Sequence, residues 1–178
     1  ETAKKTLERV VFVATLSLTR EDGRTFFQVG KKSGNSFRGQ VSLPGSKRRT
    51  GELPQEALQR LVKSELAMLI DNFVVESTEH LVETSESQSF GIPTRYMKTI
   101  HHAKLSRLGE ISVGTLLDSK SNLDPIFVFQ ATDAEGRLRL YSWLNELQVD
   151  LFKTEYGQQR LEELLSQLNA AELETQSV

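Results

Sequence analysis

Between Pro54 and Ile70 the apolar residues recur at helical spacing, while on both sides of that stretch they recur in short extended runs. Leu58, Val62, Leu66 and Leu69 form one helical row, and Leu61, Glu65 and Met68 the neighbouring row. A single amphipathic helix set among strands restricts the chain to α/β architectures. Pro54 suits the first helical position, where its missing N–H has no intrahelical partner to lose. Leu53 stands at the N-cap without a side chain able to cap.

The flanking runs read as strands. Leu7 to Thr19 is rich in Val, Leu, Phe and Thr, and Thr25 to Gly30 returns after the turn pair Asp22-Gly23. Lys31 to Gly39 reads as a polar loop, and Gln40 to Leu43 as a short extended piece ending at Pro44-Gly45. Strands are predicted over Asn72–Val82 and Thr94–Lys104, with Thr84 to Gln88 as loop. The stretch Leu105 to Asn122 is ambiguous between helix, strand and loop. Asp124 to Ala131 and Leu138 to Trp143 read as strands around the turn Asp133-Ala134-Glu135-Gly136. Leu161, Leu164, Leu165 and Leu168 mark an amphipathic C-terminal helix.

Composition narrows the function classes. Of 178 residues 38% are hydrophobic, enough for a core, and the formal net charge of −2 supplies no global drive toward nucleic acid or anionic lipid. The chain lacks cysteine, which rules out disulfides, thiolate metal sites and Cys nucleophiles. It has no apolar run of about 18 residues, so no transmembrane helix is expected. It opens Glu1-Thr2-Ala3-Lys4-Lys5, with neither an initiator Met nor signal-peptide character, and reads as an excised or processed form of an intracellular protein. One domain over 7–170 is expected, with a lead-in over 1–6 and a polar tail over 171–178.

The most specific segment runs from Leu43-Pro44-Gly45 to Met68. It resembles the Nudix box, a Gly, five residues, a Glu, seven residues, then Arg-Glu-aliphatic-x-Glu-Glu-x-Gly-aliphatic. Glu52 falls on the first Glu, Arg60 on the Arg, Val62 on the aliphatic and Glu65 on the last Glu. Ser46 stands at the Gly. Leu61, Ser64 and Ala67 replace the Glu after the Arg, the first Glu of the pair and the late Gly. Tyr141-Ser142-Trp143-Leu144 followed by Glu146-Leu147 is similar to the family's aromatic-bearing last strand and following turn. Gly39-Gln40-Val41-Ser42 before Leu43 is similar to the entry segment of the coenzyme A pyrophosphatase branch. The resemblance implies an α/β/α sandwich around a central mixed sheet.

It also implies what the departures cost. Diphosphate hydrolysis requires hard divalent cations held by oxygen. The family takes those oxygens from glutamates four residues apart on the box helix, and here that pair is Leu61 and Glu65. A leucine cannot ligate, and a lone carboxylate holds Mg²⁺ poorly. The expected function is therefore an inactive Nudix-like module that senses a nucleoside-diphosphate-type ligand or docks a partner within a larger assembly. The competing readings are a diphosphatase of ADP-ribose or coenzyme A type using relocated ligands, and a structural subunit of a ribonucleoprotein.

The candidate residues divide accordingly. Glu65, Glu52 and Glu56 would be catalytic if the chain is active, with Glu65 as the metal ligand and Mg²⁺ as the cofactor. The inactive reading has no cofactor. Lys47, Arg48, Arg49, Arg60 and Trp143 are the ligand-binding candidates, the basic triplet meeting phosphate and the aromatic stacking on a base. Glu52 and Arg60 read first as an ion pair tying loop to helix. His101-His102 are neighbours on a strand, so they face opposite sides. Glu79, Glu83 and Glu86 read as a solvated acidic stretch that in an active enzyme would lend a carboxylate. Partners are a nucleotide-type small molecule, another protein, or RNA through a local basic patch.

Overall fold

The structure is a computed structural model and describes residues 8–86, 92–106, 114–117 and 125–175. Along the chain run strands β1 (Arg9–Thr19), β2 (Thr25–Ser33), β3 (Ser36–Ser42) and β4 (Gly45–Lys47), then helix α1 (Pro54–Ser64). After a 3-10 turn at Ala67–Leu69 come β5 (Phe73–Glu86), β6 (Pro93–Leu105), β7 (Gly114–Leu117), β8 (Ile126–Thr132) and β9 (Leu138–Leu144). Helices α2 (Glu146–Lys153) and α3 (Glu155–Thr175) close the described chain.

One sheet carries these strands in the order β5-β6-β1-β2-β9-β8-β7, with β4 on β1 and β3 on β2. β1 and β6 are parallel from Arg9–Thr94 to Thr19–Lys104, and the other pairings are antiparallel. The Asp22-Gly23 turn forms, but its strands part at once. The register between β1 and β2 is the pair Thr19 and Thr25.

Alternation along β2, β8 and β9 builds a core on each face. Phe26, Phe129, Tyr141 and Trp143 pack with Leu58, Leu61 and Val62 of α1. Val29, Val128, Leu140 and Leu144 pack on the other side with Val149 and Phe152 of α2 and Leu161, Leu164, Leu165 and Leu168 of α3. The expected layering of helices on both faces of a mixed sheet is the one adopted. Among the described residues no helix is long and apolar enough to cross a membrane.

Several boundaries differ from the sequence reading. The stretch Lys31 to Gly39 is not a loop: β2 continues to Ser33, turns at Gly34-Asn35 and returns as β3. α1 stops at Ser64 rather than near Ile70, and Leu66 and Leu69 reach the core from the 3-10 turn. β5 runs on through Thr84 to Glu86, while Gln88 lies outside the described residues. Of the stretch Leu105 to Asn122, residues 114–117 form β7, and residues 107–113 and 118–124 lie outside the described set. α3 runs through the start of the expected tail to Thr175.

β5 lies at the end of the strand order and is tied to β6 by ion pairs on the face opposite His101. Glu76 meets Lys104 at 3.1 Å, Glu79 meets His102 at 3.1 Å, and Glu83 meets Lys98. Val74, Val75, Leu81 and Val82 remain exposed along it.

α2 and α3 are joined by a tight corner at Thr154. The Thr154 hydroxyl donates to the Leu151 carbonyl at 2.7 Å and accepts from the Gly157 amide at 3.0 Å. Gly157 is buried against that carbonyl, and a Cβ built there would lie 1.8 Å from the Leu151 oxygen.

Candidate functional site

The loop from β4 to α1 is fastened by Arg60. Its Nε and Nη2 donate to the two carboxylate oxygens of Glu52 at 2.7 and 2.9 Å. Nη1 donates to Ser46 Oγ at 2.9 Å, and Nη2 also reaches the Lys47 carbonyl at 2.9 Å. All three guanidinium nitrogens are thus engaged within the loop. Arg60 and the Arg49 amide together hold the Glu52 carboxyl at a pKa of about 2. A fork-to-fork guanidinium–carboxylate pair fixes direction as well as distance, which sets where the helix begins. A depressed carboxyl pKa contributes stability that is present above the unfolded value and lost as pH falls through the folded one. In Glu52→Gln the acid-driven loss of stability between pH about 4.5 and 2 should therefore shrink, as measured by thermal melts across that window.

Glu56 caps the helix. Its carboxylate accepts the Leu53 amide at 2.8 Å, the half of a capping box that does not depend on the Leu53 side chain. Arg48 donates to the Glu52 carbonyl and lies 5.3 Å over the Phe12 ring. Trp143 is buried against Phe26, with the Arg20 guanidinium 5.2 Å over its ring. Of the five ligand-binding candidates, Lys47 and Arg49 present exposed side chains, and Arg48, Arg60 and Trp143 are engaged internally.

At the other end of α1 the box helix meets the β8–β9 turn. Leu61 does not line a cleft where a metal would sit. It is fully buried among Leu16, Leu18, Phe26 and Tyr141, and that burial contributes about 2 kcal/mol. Glu65, one turn on, is half-buried and accepts the Tyr141 hydroxyl at 3.3 Å. Burial raises its carboxyl above the ordinary value, Arg139 opposes that, and Asp133 and Glu135 add to it. Burial likewise pushes the Tyr141 phenol well up.

Asp133 organises this corner. Its Oδ1 accepts the amides of Glu135 and Arg137 at 3.1 and 2.8 Å. Its Oδ2 accepts Arg137 Nε at 2.7 Å and the Arg139 guanidinium at 2.9 Å. Burial alone would raise this carboxyl, but the Arg137 amide and the two guanidiniums outweigh burial and hold it below its usual range. Glu135 in turn accepts Arg137 Nη2 at 2.5 Å. Sequence reading saw only a turn here. The available signal was Arg139 on the return strand with Arg137 two residues before it, at the end of the turn that begins with Asp133.

Mg²⁺ demands several unoccupied oxygens in near-octahedral array. Glu65 accepts the Tyr141 hydroxyl, both Asp133 oxygens are taken by amide and guanidinium donors, and the neighbouring cations are guanidiniums. Among the described residues, those of this corner do not offer that ion such an array. Among the described residues there is no group of three or more His, Asp or Glu able to hold a metal. Glu79 and Glu83 serve the β5–β6 ladder, and the side chain of Glu86 lies outside the described residues. His101 is buried toward α1 while His102 is half-buried on the other face.

The raised carboxyl has a measurable consequence. Between the unfolded value and the higher folded value the folded chain binds more protons, so Glu65 costs stability as pH rises through that window. Glu65→Gln keeps an acceptor for Tyr141 and removes the buried charge. It should raise the melting midpoint at neutral pH by on the order of 1–3 °C and have no such effect below the window. A lower midpoint at neutral pH would mean that the Arg139 attraction dominates.

No family model matches the chain, and no curated protein sequence does. Among solved structures, the chain is similar to a Nudix hydrolase of M. smegmatis, RenU, at 17% identity over 93% of this chain and 88% of that one, with a TM-score of 0.42. A Nudix hydrolase of Nitrosomonas europaea matches at 14% identity over 94% and 90%, TM-score 0.47. An ADP compounds hydrolase matches at 11% identity over 94% and 75%, TM-score 0.40. The activities those names carry belong to those proteins.

Proposed function

We propose that this chain is a Nudix-type module that binds a nucleoside-diphosphate-type ligand or a partner without hydrolysing it. The observation that carries the proposal is the box row itself: Leu61 is committed to the core and Glu65 to the Tyr141 hydroxyl, so no carboxylate pair remains on α1 for a cation. The loop before the helix is held by Glu52, Arg60 and Arg48, which leaves the exposed side chains of Lys47 and Arg49 on a fixed backbone. Binding needs such a preorganised surface, whereas hydrolysis also needs placed metal.

Two measurements test it. Incubation with ADP-ribose or coenzyme A and Mg²⁺ or Mn²⁺ should release no product above a protein-free blank. Metal-dependent release that is lost in Glu65→Gln would overturn the proposal. Thermal melts with a panel of nucleoside diphosphates should find a stabilising ligand, with about 2.7 kcal/mol expected at a hundredfold excess over Kd. A flat panel would remove the ligand-binding half and leave partner docking.

A further inference from the structure

A cavity of about 730 Å³ lies between α1 and the β5–β6 end of the sheet, within the size range of ligand pockets. Leu58 and Val62 line it from the helix, whereas neither Leu61 nor Glu65 borders it. Strand register puts its sheet wall on one face. Thr78 pairs with His101, His80 with Thr99, and Val75 with Ala103, which packs in the core under α1. Val75 and Thr78 are three residues apart and would face opposite sides of a regular strand. The bulge between Val75 and Ser77 brings both to the α1 side.

The wall has an apolar part and a polar one. Leu53, Ile70 and Val75 border the cavity as exposed apolar side chains beside the buried Leu58 and Val62. An apolar body laid against them is favoured in proportion to the area it covers. At the buried end His101 is 4% exposed, and its Nε2 has no hydrogen-bond partner among the described residues. Burial pushes this imidazole below its ordinary value, so it is neutral at pH 7, and the Pro54 carbonyl accepts a hydrogen bond from it. A neutral imidazole that donates once keeps a lone pair on its other nitrogen. A buried acceptor left unmade costs free energy that a ligand's donor recovers. Lys63 and Asp71, the base and the acid of the wall, offset one another. An ionised ligand would lose hydration there without a counter-charge of its own.

We propose that this cavity binds an uncharged aromatic heterocycle whose N–H donates to His101 while its rings lie against Leu58, Val62, Ile70 and Val75. A flat, rigid body suits a space between a helix and a sheet and loses little freedom on binding. The site is separate from the box loop and does not depend on whether α1 can hold a metal.

The test titrates ¹⁵N-labelled protein at pH 7 with indole, with benzofuran, which has the same shape but no N–H, and with indole-3-acetate, which adds a charge. Indole should saturate amide shifts at Thr78, Thr99 and His101, with a Kd of about 1 mM for a fragment of that size. Benzofuran should bind about fivefold more weakly, the worth of one hydrogen bond between neutral groups, and indole-3-acetate should also bind more weakly than indole. Thr78→Trp fills the cavity from an exposed strand position, so it should abolish indole binding and keep the wild-type melting midpoint. His101→Leu removes the acceptor and should bring indole and benzofuran to equal affinity. Should that variant unfold, the ratio of the two probes on the wild type carries the same test. The double variant Lys47→Ala, Arg49→Ala should leave indole binding unchanged, so failure here is distinguishable from failure of the function proposed above. Shifts that do not saturate or that map away from β5 and β6, wild-type indole affinity in Thr78→Trp, or benzofuran or indole-3-acetate binding as tightly as indole would overturn the site.

Discussion

Leu61→Glu, which restores the missing box residue, is expected to unfold the domain rather than rebuild a metal site. The side chain is fully buried between α1 and β9 in a cluster of aliphatic and aromatic residues. Removing its packing alone, as in Leu61→Ala, costs about 2–5 kcal/mol. Placing a carboxylate there adds the cost of desolvating it with no partner within the cluster, and the loss should be about 4 kcal/mol or more, a large share of a typical domain's stability. Ser64→Glu restores another box residue at an exposed position and should stay within about 0.5 kcal/mol of wild type. Urea denaturation of the three variants ranks them. A Leu61→Glu protein that keeps the wild-type midpoint and binds Mn²⁺ more tightly would show that position 61 faces a cleft, and the proposed function would fall with it.

The second large effect lies at the other face of the sheet. Gly157→Ala should destabilise by about 3 kcal/mol, because the new Cβ would sit 1.8 Å from the Leu151 oxygen and 2.5 Å from its carbonyl carbon, both backbone atoms. The corner between α2 and α3 must open to admit it, which strains the Thr154 hydroxyl bridge and lifts Phe152 and Leu161 from their shared core. Gly39→Ala offers an internal control. Its nearest neighbour would be the Glu162 Cγ at 3.0 Å, part of a flexible side chain, so its effect should be smaller. Equal midpoints for Gly157→Ala and wild type would mean the corner has slack that this packing does not show.

The order of elements was legible in the sequence because apolar periodicity and turn residues speak locally. Leu58, Val62, Leu66 and Leu69 read as one apolar helical row, and all four are buried, although two of them lie past the end of α1. Periodicity records which side of the chain is apolar, not which backbone carries it. β3 was missed because an edge strand exposes alternate residues, and Ser36, Arg38 and Gln40 make such a strand look like a loop. α2 was missed although Asn145 and Gln148 form a reciprocal cap, with the Asn145 side chain accepting the Gln148 amide at 2.8 Å. The tie between Glu52 and Arg60 was legible because a known motif spaces them. The Glu65, Tyr141, Asp133, Arg137 and Arg139 corner was not, since Glu65 and Tyr141 are far apart in sequence and meet through the packing of α1 on the sheet, which no local pattern encodes.

The ladder on β5 carries a consequence for how this molecule meets copies of itself. A fourteen-residue strand at a sheet's margin, with Val74, Val75, Leu81 and Val82 uncovered, is a template on which another chain could lay a strand. Glu76, Glu79 and Glu83, each bridged to a basic side chain of β6, line that margin with polar, water-seeking groups, and a second apolar strand could pair there only by desolvating them.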